Sequence, residues 1–241
     1  MTGVWLEDLT WLEARRRFDG GAVVIVPVGA AAKAHGPHLP LNTDWLTARA
    51  LGQRLIERLP VVAAPVIGVG HYPAFIPFAG SQHLSPETFK ALVRELLGSL
   101  RHHGVSRIAI VNTGVSTEKP LDEVAAELPG IAVLHMRSLG RSADSLLDDP
   151  EGGHADERET SVMLALDPRG VRIDRLAATG GDFAATAATG DPSRATAFKG
   201  ERILAARIDD LVARLVELWP KLADASDPRV KSADRGRLAR S

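Results

Sequence analysis

The amino-acid sequence predicts an α/β protein, with a mainly parallel central sheet and helices on both faces. Three observations carry this expectation. Short β-branched runs such as Val23–Val28 alternate along the chain with longer runs of helical apolar spacing. That alternation is the pattern of parallel strands joined by crossover helices. The strand-like runs end on Gly, Pro or Asn and pass into polar loops, where open α/β sheets place their chemistry. With 241 residues, 45% of them hydrophobic, the chain is long enough to close one core.

The elements follow in order. Thr10-Trp11-Leu12-Glu13 has the form of a capping box and opens a short helix to about Phe18, before Asp19-Gly20-Gly21 turns into the first strand. That strand, Val23–Val28, closes at Gly29 and enters the loop Lys33-Ala34-His35-Gly36-Pro37-His38-Leu39-Pro40-Leu41-Asn42-Thr43-Asp44. Thr43 or Asp44 is expected to cap a helix from Trp45 to about Arg58. Val61–Val69 is the second expected strand. A helix begins at Ser85-Pro86-Glu87, with Pro at its first position, and stops at Gly104. Arg107–Val111 and Ile131–Leu134 are the third and fourth strands, with a helix over Leu121–Leu128 between them. Gly140–Gly153 is expected to be a polar loop and Asp156–Ala165 a helix. Gly180–Pro192 is too rich in small residues for regular structure, and Ala195–Leu222 is a long amphipathic helix. From Asp224 the apolar spacing is lost, so residues 1–223 are expected to form one domain and 224–241 a flexible tail.

Composition narrows the function. The 29 basic and 30 acidic residues give no field to attract nucleic acid or an anionic membrane. With no Cys there is no disulfide, thiolate ligand or cysteine nucleophile. The opening residues Met1–Asp8 lack a basic region followed by an apolar core, and no apolar run reaches spanning length, so a cytoplasmic location is expected.

The loop after the first strand centres the site. His35 and Asp44 are candidate metal ligands, whose bland alternative is a loop held by His–Asp hydrogen bonds. Lys33 is a candidate catalytic group, since a buried ammonium can lower its pKa or pair with a carboxylate. His71 and Tyr72, at the end of the second strand, are candidate substrate contacts, as are Asn112 and Ser116 after the third. His154 and Glu159 are candidate catalytic residues; alternatively, Asp156 with Glu157 and Glu159 simply caps and charges a helix start. His38 is expected to be structural, His83 and His135 are weaker candidates, and His102-His103 are expected at a solvated helix end.

Several of these runs resemble the signatures of the creatininase (creatinine amidohydrolase) family. They are Pro27-Val28-Gly29 with His35-Gly36-Pro37-His38-Leu39-Pro40-Leu41 and Thr43-Asp44, then Gly80-Ser81, Asn112, His154-Ala155-Asp156-Glu157-Arg158-Glu159-Thr160-Ser161, and Gly190-Asp191-Pro192 with Lys199-Gly200. The resemblance implies a creatininase-like three-layer α/β fold, a homohexamer, and a site with two divalent metals that hydrolyses a carbon–nitrogen bond. In that family His154 would be the catalytic histidine that handles the leaving amine.

The departures are as specific as the matches. Lys33 stands where the family has a ligand Glu, one extra residue separates Gly29 from His35, and Gly114 and Ser116 stand at two further ligand positions. Only His35 and the bridging Asp44 are kept, so a divergent member lacking several metal ligands is expected. Two readings follow. The first is an amidohydrolase acting on a small amide or lactam other than creatinine, with one divalent metal (zinc, manganese or iron) on His35, Asp44 and a third ligand such as His71 or Glu159. The second is a metal-free protein that serves as a binding or scaffold subunit, or runs a non-hydrolytic reaction in the same pocket.

Overall fold

The computed structural model describes residues 3–179 and 182–226. Five strands form one sheet: β1 (Val4–Trp5), β2 (Val24–Val28), β3 (Val62–Ala63), β4 (Ile108–Asn112) and β5 (Ile131–His135). Every pairing is parallel and the order is β1-β3-β2-β4-β5. The helices are α1 (Trp11–Asp19), α2 (Thr43–Arg58), α3 (Pro86–His102), α4 (Glu118–Glu127), α5 (Glu157–Leu166), α6 (Phe183–Thr186), α7 (Ala197–Leu218) and α8 (Lys221–Ser226).

Strand alternation divides the core in two. Ile25, Ala63, Ala109 and Val111 face Leu51 and Leu55 of α2 and Ile203, Leu204 and Leu211 of α7. Val24, Val26, Val28, Ile108 and Ile110 face Phe18 of α1, Phe89, Val93 and Leu97 of α3, and Leu121 and Val124 of α4. Both faces of β2 and β4 are buried, which explains why these strands read as continuous apolar runs. This is the three-layer α/β arrangement the sequence predicts.

The capping box of α1 forms, with Thr10 accepting from Glu13 N and Glu13 accepting from Thr10 N, and Ser85 caps α3. Several expectations are corrected. The N-cap of α2 is Asn42, without a side-chain hydrogen bond, because Thr43 bonds the Pro40 carbonyl and Asp44 turns inward. The second strand shrinks to Val62–Ala63 plus a single bridge from Val28 to Ile67, since Pro65 has no N–H for the ladder. The edge strand β1 is too short for its period to show in the sequence. Part of the Gly140–Gly153 segment is a 3₁₀ helix over Arg141–Leu146. Gly180–Pro192 contains α6, started by the Asp182 side chain, with residues 180–181 outside the described residues. The last long helix breaks at Trp219-Pro220 into α7 and α8, and α8 runs to Ser226 across the expected domain end. The rest of the expected tail, 227–241, lies outside the described residues. Among the described residues no helix is long and apolar enough to cross a membrane.

Candidate active site

The site lies at the carboxyl end of β2, where the chain folds back on itself before α2. Lys33 N–H donates to the Leu41 carbonyl at 3.0 Å and Trp45 N–H to the Ala30 carbonyl at 3.1 Å, so the loop is closed at both ends. Gly29 allows the approach, because a Cβ there would overlap the Asp44 carbonyl. The loop thereby turns Lys33 and His35 inward against Asp44, and all three are buried. His35 Nδ1 lies 2.8 Å from the Lys33 carbonyl and its Nε2 lies 3.0 Å from Asp44 Oδ1. The Lys33 ammonium stands 2.6 Å from Asp44 Oδ2, a buried ion pair. The same ammonium lies 4.9 Å from the centre of the Phe75 ring and 5.7 Å from that of Tyr72.

The second half of the site comes from the start of α5. Asp156 caps the helix by accepting from Glu159 N–H at 2.9 Å. Ala155 before it has φ +55, a left-handed conformation costly to a residue with a Cβ. In that conformation its N–H donates to Glu159 Oε2 at 2.6 Å. His154 is held on both sides: its N–H donates to Thr189 Oγ1 at 2.8 Å, and its Nε2 lies 2.8 Å from the Ala34 carbonyl. The His154 ring is 4.6 Å from the His35 ring and 4.8 Å from Phe75, and its Nδ1 is 3.5 Å from Glu159 Oε2.

The proton placement follows from these partners. A carbonyl only accepts, so the N–H of His35 is at Nδ1 and that of His154 at Nε2. In the neutral rings His35 Nε2 and His154 Nδ1 then carry lone pairs. Each faces a carboxylate oxygen, an arrangement that calls for a proton or a cation between donor atoms. Both rings are held neutral: burial first, then Lys33, lowers His154 to about 4, and burial lowers His35 against the opposing pull of Asp44. Burial works to raise the Asp44 pKa, but the Lys33 charge and then His35 outweigh it and hold the carboxyl well below the carboxylate range. Burial raises Glu159, and His35 opposes that shift.

The ligand atoms of His35, His154 and Glu159 all lie within 4.8 Å of one another, so these three can coordinate one metal ion. The donor chemistry fits, with two imidazole lone pairs oriented by carbonyl partners and one carboxylate oriented by an amide. Asp44, the expected bridging ligand, is not in that triad, and its second oxygen is occupied by Lys33.

The other candidates fall around this centre. Tyr72 is buried with its hydroxyl unpartnered among the described residues, and burial, then Asp44, raises its pKa. His71 Nδ1 lies 3.1 Å from the Leu84 carbonyl and its ring is 5.1 Å from that of His83, and it is not part of the His35–His154–Glu159 cluster. The Asn112 side chain is spent on the loop after β4: Oδ1 accepts from Gly114 N and Thr117 Oγ1, and Nδ2 donates to the Gly114 carbonyl. Ser116 is half-buried in that loop. His38 bonds Thr160 Oγ1 at 2.8 Å, as expected of a structural histidine. Sequence reasoning missed Phe75 and Phe183, which wall the His154 ring, and Arg207, a buried cation on α7 beside the same cleft as Glu159. None of the three departs from helical or loop patterning in a way that marks it.

The chain has relatives among known proteins, in sequence and in fold. The sequence matches the family described as creatininase, creatinine amidohydrolase, over residues 7–215. It is 31% identical over 224 residues to the mycofactocin precursor peptide peptidase of Mycobacterium ulcerans, covering 82% of this chain and 86% of that one. It is 27% identical over 197 residues to the creatinine amidohydrolase of Pseudomonas putida, covering 72% and 75%. A manganese form of creatininase superposes with a TM-score of 0.79 at 25% identity, covering 90% of this chain and 99% of that chain. The chain therefore belongs to the creatininase family, as a divergent member in which, among the described residues, one cluster, His35, His154 and Glu159, is able to coordinate a metal ion.

Proposed function

We propose that the protein hydrolyses the carbon–nitrogen bond of an amide, either a small amide or lactam or a peptide. The observation that carries this reading is the convergence of one ligand atom each from His35, His154 and Glu159 within 4.8 Å at the carboxyl end of a parallel sheet. His35, His154 and Glu159 would hold one zinc, manganese or iron ion, which when bound acidifies water and polarises a carbonyl. The remaining work belongs to the chain. The Lys33 and Ala34 carbonyls fix the two tautomers, and Ala155 N–H fixes Glu159. Lys33 neutralises Asp44, so that the pocket does not carry two uncompensated carboxylates. Phe75 and Phe183 shield His154 from water. With one carboxylate oxygen as the ligand, the other oxygen of the one-fifth-exposed Glu159 takes the proton of the attacking water as the oxygen–carbon bond forms. It returns that proton to the nitrogen as the carbon–nitrogen bond breaks, leaving a carboxylic acid and an amine.

Two of the relatives' names bear on the substrate: one acts on a cyclic amide, creatinine, and the other on a precursor peptide. The test is metal content by elemental mass spectrometry together with turnover of lactams and short peptides. About one tightly held metal per chain, with turnover abolished in Glu159→Gln and His154→Ala while both stay folded, is the expected result. No metal after incubation with zinc, manganese or iron, and no amide cleaved, would overturn it. A second reading rests on the 2.6 Å Lys33–Asp44 pair, which places an ammonium where a cation would sit and suits a metal-free binding or scaffold subunit.

The same reading takes residues 1–223 as one domain in a cytoplasmic homo-oligomer, hexameric by analogy with the family. An apolar groove between α1 and α3, bordered by Phe18, Leu92 and Leu100 with Trp11 and Leu96 exposed, supports a face covered by another copy. Sedimentation velocity of the full chain should show a multimer, and a monomer would contradict it.

A further inference from the structure

Beside Glu159 the structure contains a cleft of about 140 Å³, bounded by the loop after β4, the segment following β5, the start of α5 and Arg207 of α7. Arg207 is 4% exposed, yet among the described residues its guanidinium makes no hydrogen bond and no ion pair. The neighbouring cations are all satisfied. Arg158 pairs with Asp144 at 2.7 Å, Arg141 with Asp144 at 2.9 Å, and Arg137 with Glu118 at 3.4 Å. The acidic groups closest to Arg207 in charge are also committed. Asp156 accepts from Gly153 N and Glu159 N, and Glu159 Oε2 accepts from Ala155 N.

The seat of this arginine is built. Gly140 has φ +74, and a Cβ there would come within 2.7 Å of Arg207 Cγ, so the glycine makes room for the stem. Gly140 N–H is anchored in turn by Asp210 of α7 at 2.7 Å. Burial, then Arg158, lowers the Arg207 pKa only to about 10, so it stays charged at neutral pH. An unpaired buried charge is among the costliest features a fold can keep.

We propose that Arg207 anchors a carboxylate of the substrate, so that the amide cleaved beside Glu159 belongs to a molecule with a free carboxyl group. A guanidinium fork matches a carboxylate bidentately. The cleft favours a single negative charge over a phosphate dianion, because its other three arginines, Arg137, Arg141 and Arg158, are already paired with Glu118 and Asp144, which leaves the one charge of Arg207. The inference rests on the amide-hydrolase reading only for the bond that is cleaved; the anchor itself is read by binding.

The test uses two probes of the same shape, N-acetylglycine and N-acetylglycinamide, titrated calorimetrically into the full-length protein. The carboxylate should bind at least about tenfold more tightly than the neutral amide, as expected of a charge-assisted pair. Arg207→Met should erase that preference without lowering the melting temperature, since an unpaired charge is replaced by an apolar side chain of similar length. Equal affinities in the unaltered protein, or a preference that survives in Arg207→Met, would overturn the proposal. Should Arg207→Met fail to fold, the two-probe comparison on the unaltered protein still decides it. Carboxylate preference without amide turnover would retire the hydrolase reading and leave the anchor standing, whereas turnover without the preference would do the reverse.

Discussion

Lys33 decides between a metal site and an ion pair. Its ammonium lies against Asp44 in a wall where neither side chain is more than 6% exposed, so the pair attracts in low dielectric and repels a dication nearby. Two changes at this position separate its roles. Lys33→Glu removes the repelling charge and adds an oxygen donor, so divalent-metal uptake per chain should rise when measured by elemental mass spectrometry; unchanged uptake would show that Lys33 does not set metal affinity. Lys33→Met leaves Asp44 buried with only His35 beside it and should destabilise the metal-free protein by about 3 kcal/mol, the range found when one partner of a buried pair is removed. Urea unfolding at neutral pH measures that loss.

At the scale of elements, the site depends on how α5 sits against α7. The two helices cross at Gly200, where a Cβ would overlap the Ser161 carbonyl oxygen and come within 3.0 Å of the Ala165 methyl carbon. The crossing holds the start of α5, and with it His154, Ala155 and Glu159, against the loop that carries Lys33 and His35. Gly200→Ala should therefore cost more than a helix-interior Gly→Ala change usually gains. We expect a loss of about 2–3 kcal/mol in unfolding free energy, from overpacking against backbone that cannot move aside. It should also weaken metal retention, because α5 supplies Glu159 and the segment leading into it supplies His154, two of the three donors. An unchanged urea midpoint would mean that the crossing can relax.

For the whole molecule, the sheet was legible because β2 and β4 are buried on both faces and so appear as unbroken apolar runs, and because Thr10, Ser85 and Asp156 are capping residues whose chemistry is local. What was not legible depends on long-range placement. Asp44 could be assigned to the site but not to Lys33 over His154 and Glu159, since three separate segments must first be brought together. Arg207 looks like any polar residue on an amphipathic helix until its partners are counted. The same burial that hid these roles sets the response of the molecule to acid. His38 is fully buried, with Nε2 on Thr160 and Nδ1 unpartnered among the described residues. Burial first, then the neighbouring His35 and His154, lowers its pKa from 6.5 to about 4. Between those values the unfolded chain binds more protons than the folded one, so stability is complete above about pH 6.5 and falls as the pH approaches 4. From the size of that shift His38 alone should remove about 2 kcal/mol between pH 7 and pH 4.5. His154, also lowered to about 4, adds in the same direction when no metal is bound. Asp44 acts in a separate window: its depressed pKa contributes stability above its usual value of 3.8 and loses it only at lower pH. Urea unfolding of the metal-free protein across this range should thus show a first decline between pH 6.5 and 4 and a second below it. In His38→Gln the first decline should shallow while the second stays. A flat profile down to pH 4 would mean that the folded protein accepts a proton on these buried rings, and would remove the case for neutral imidazoles as ligands.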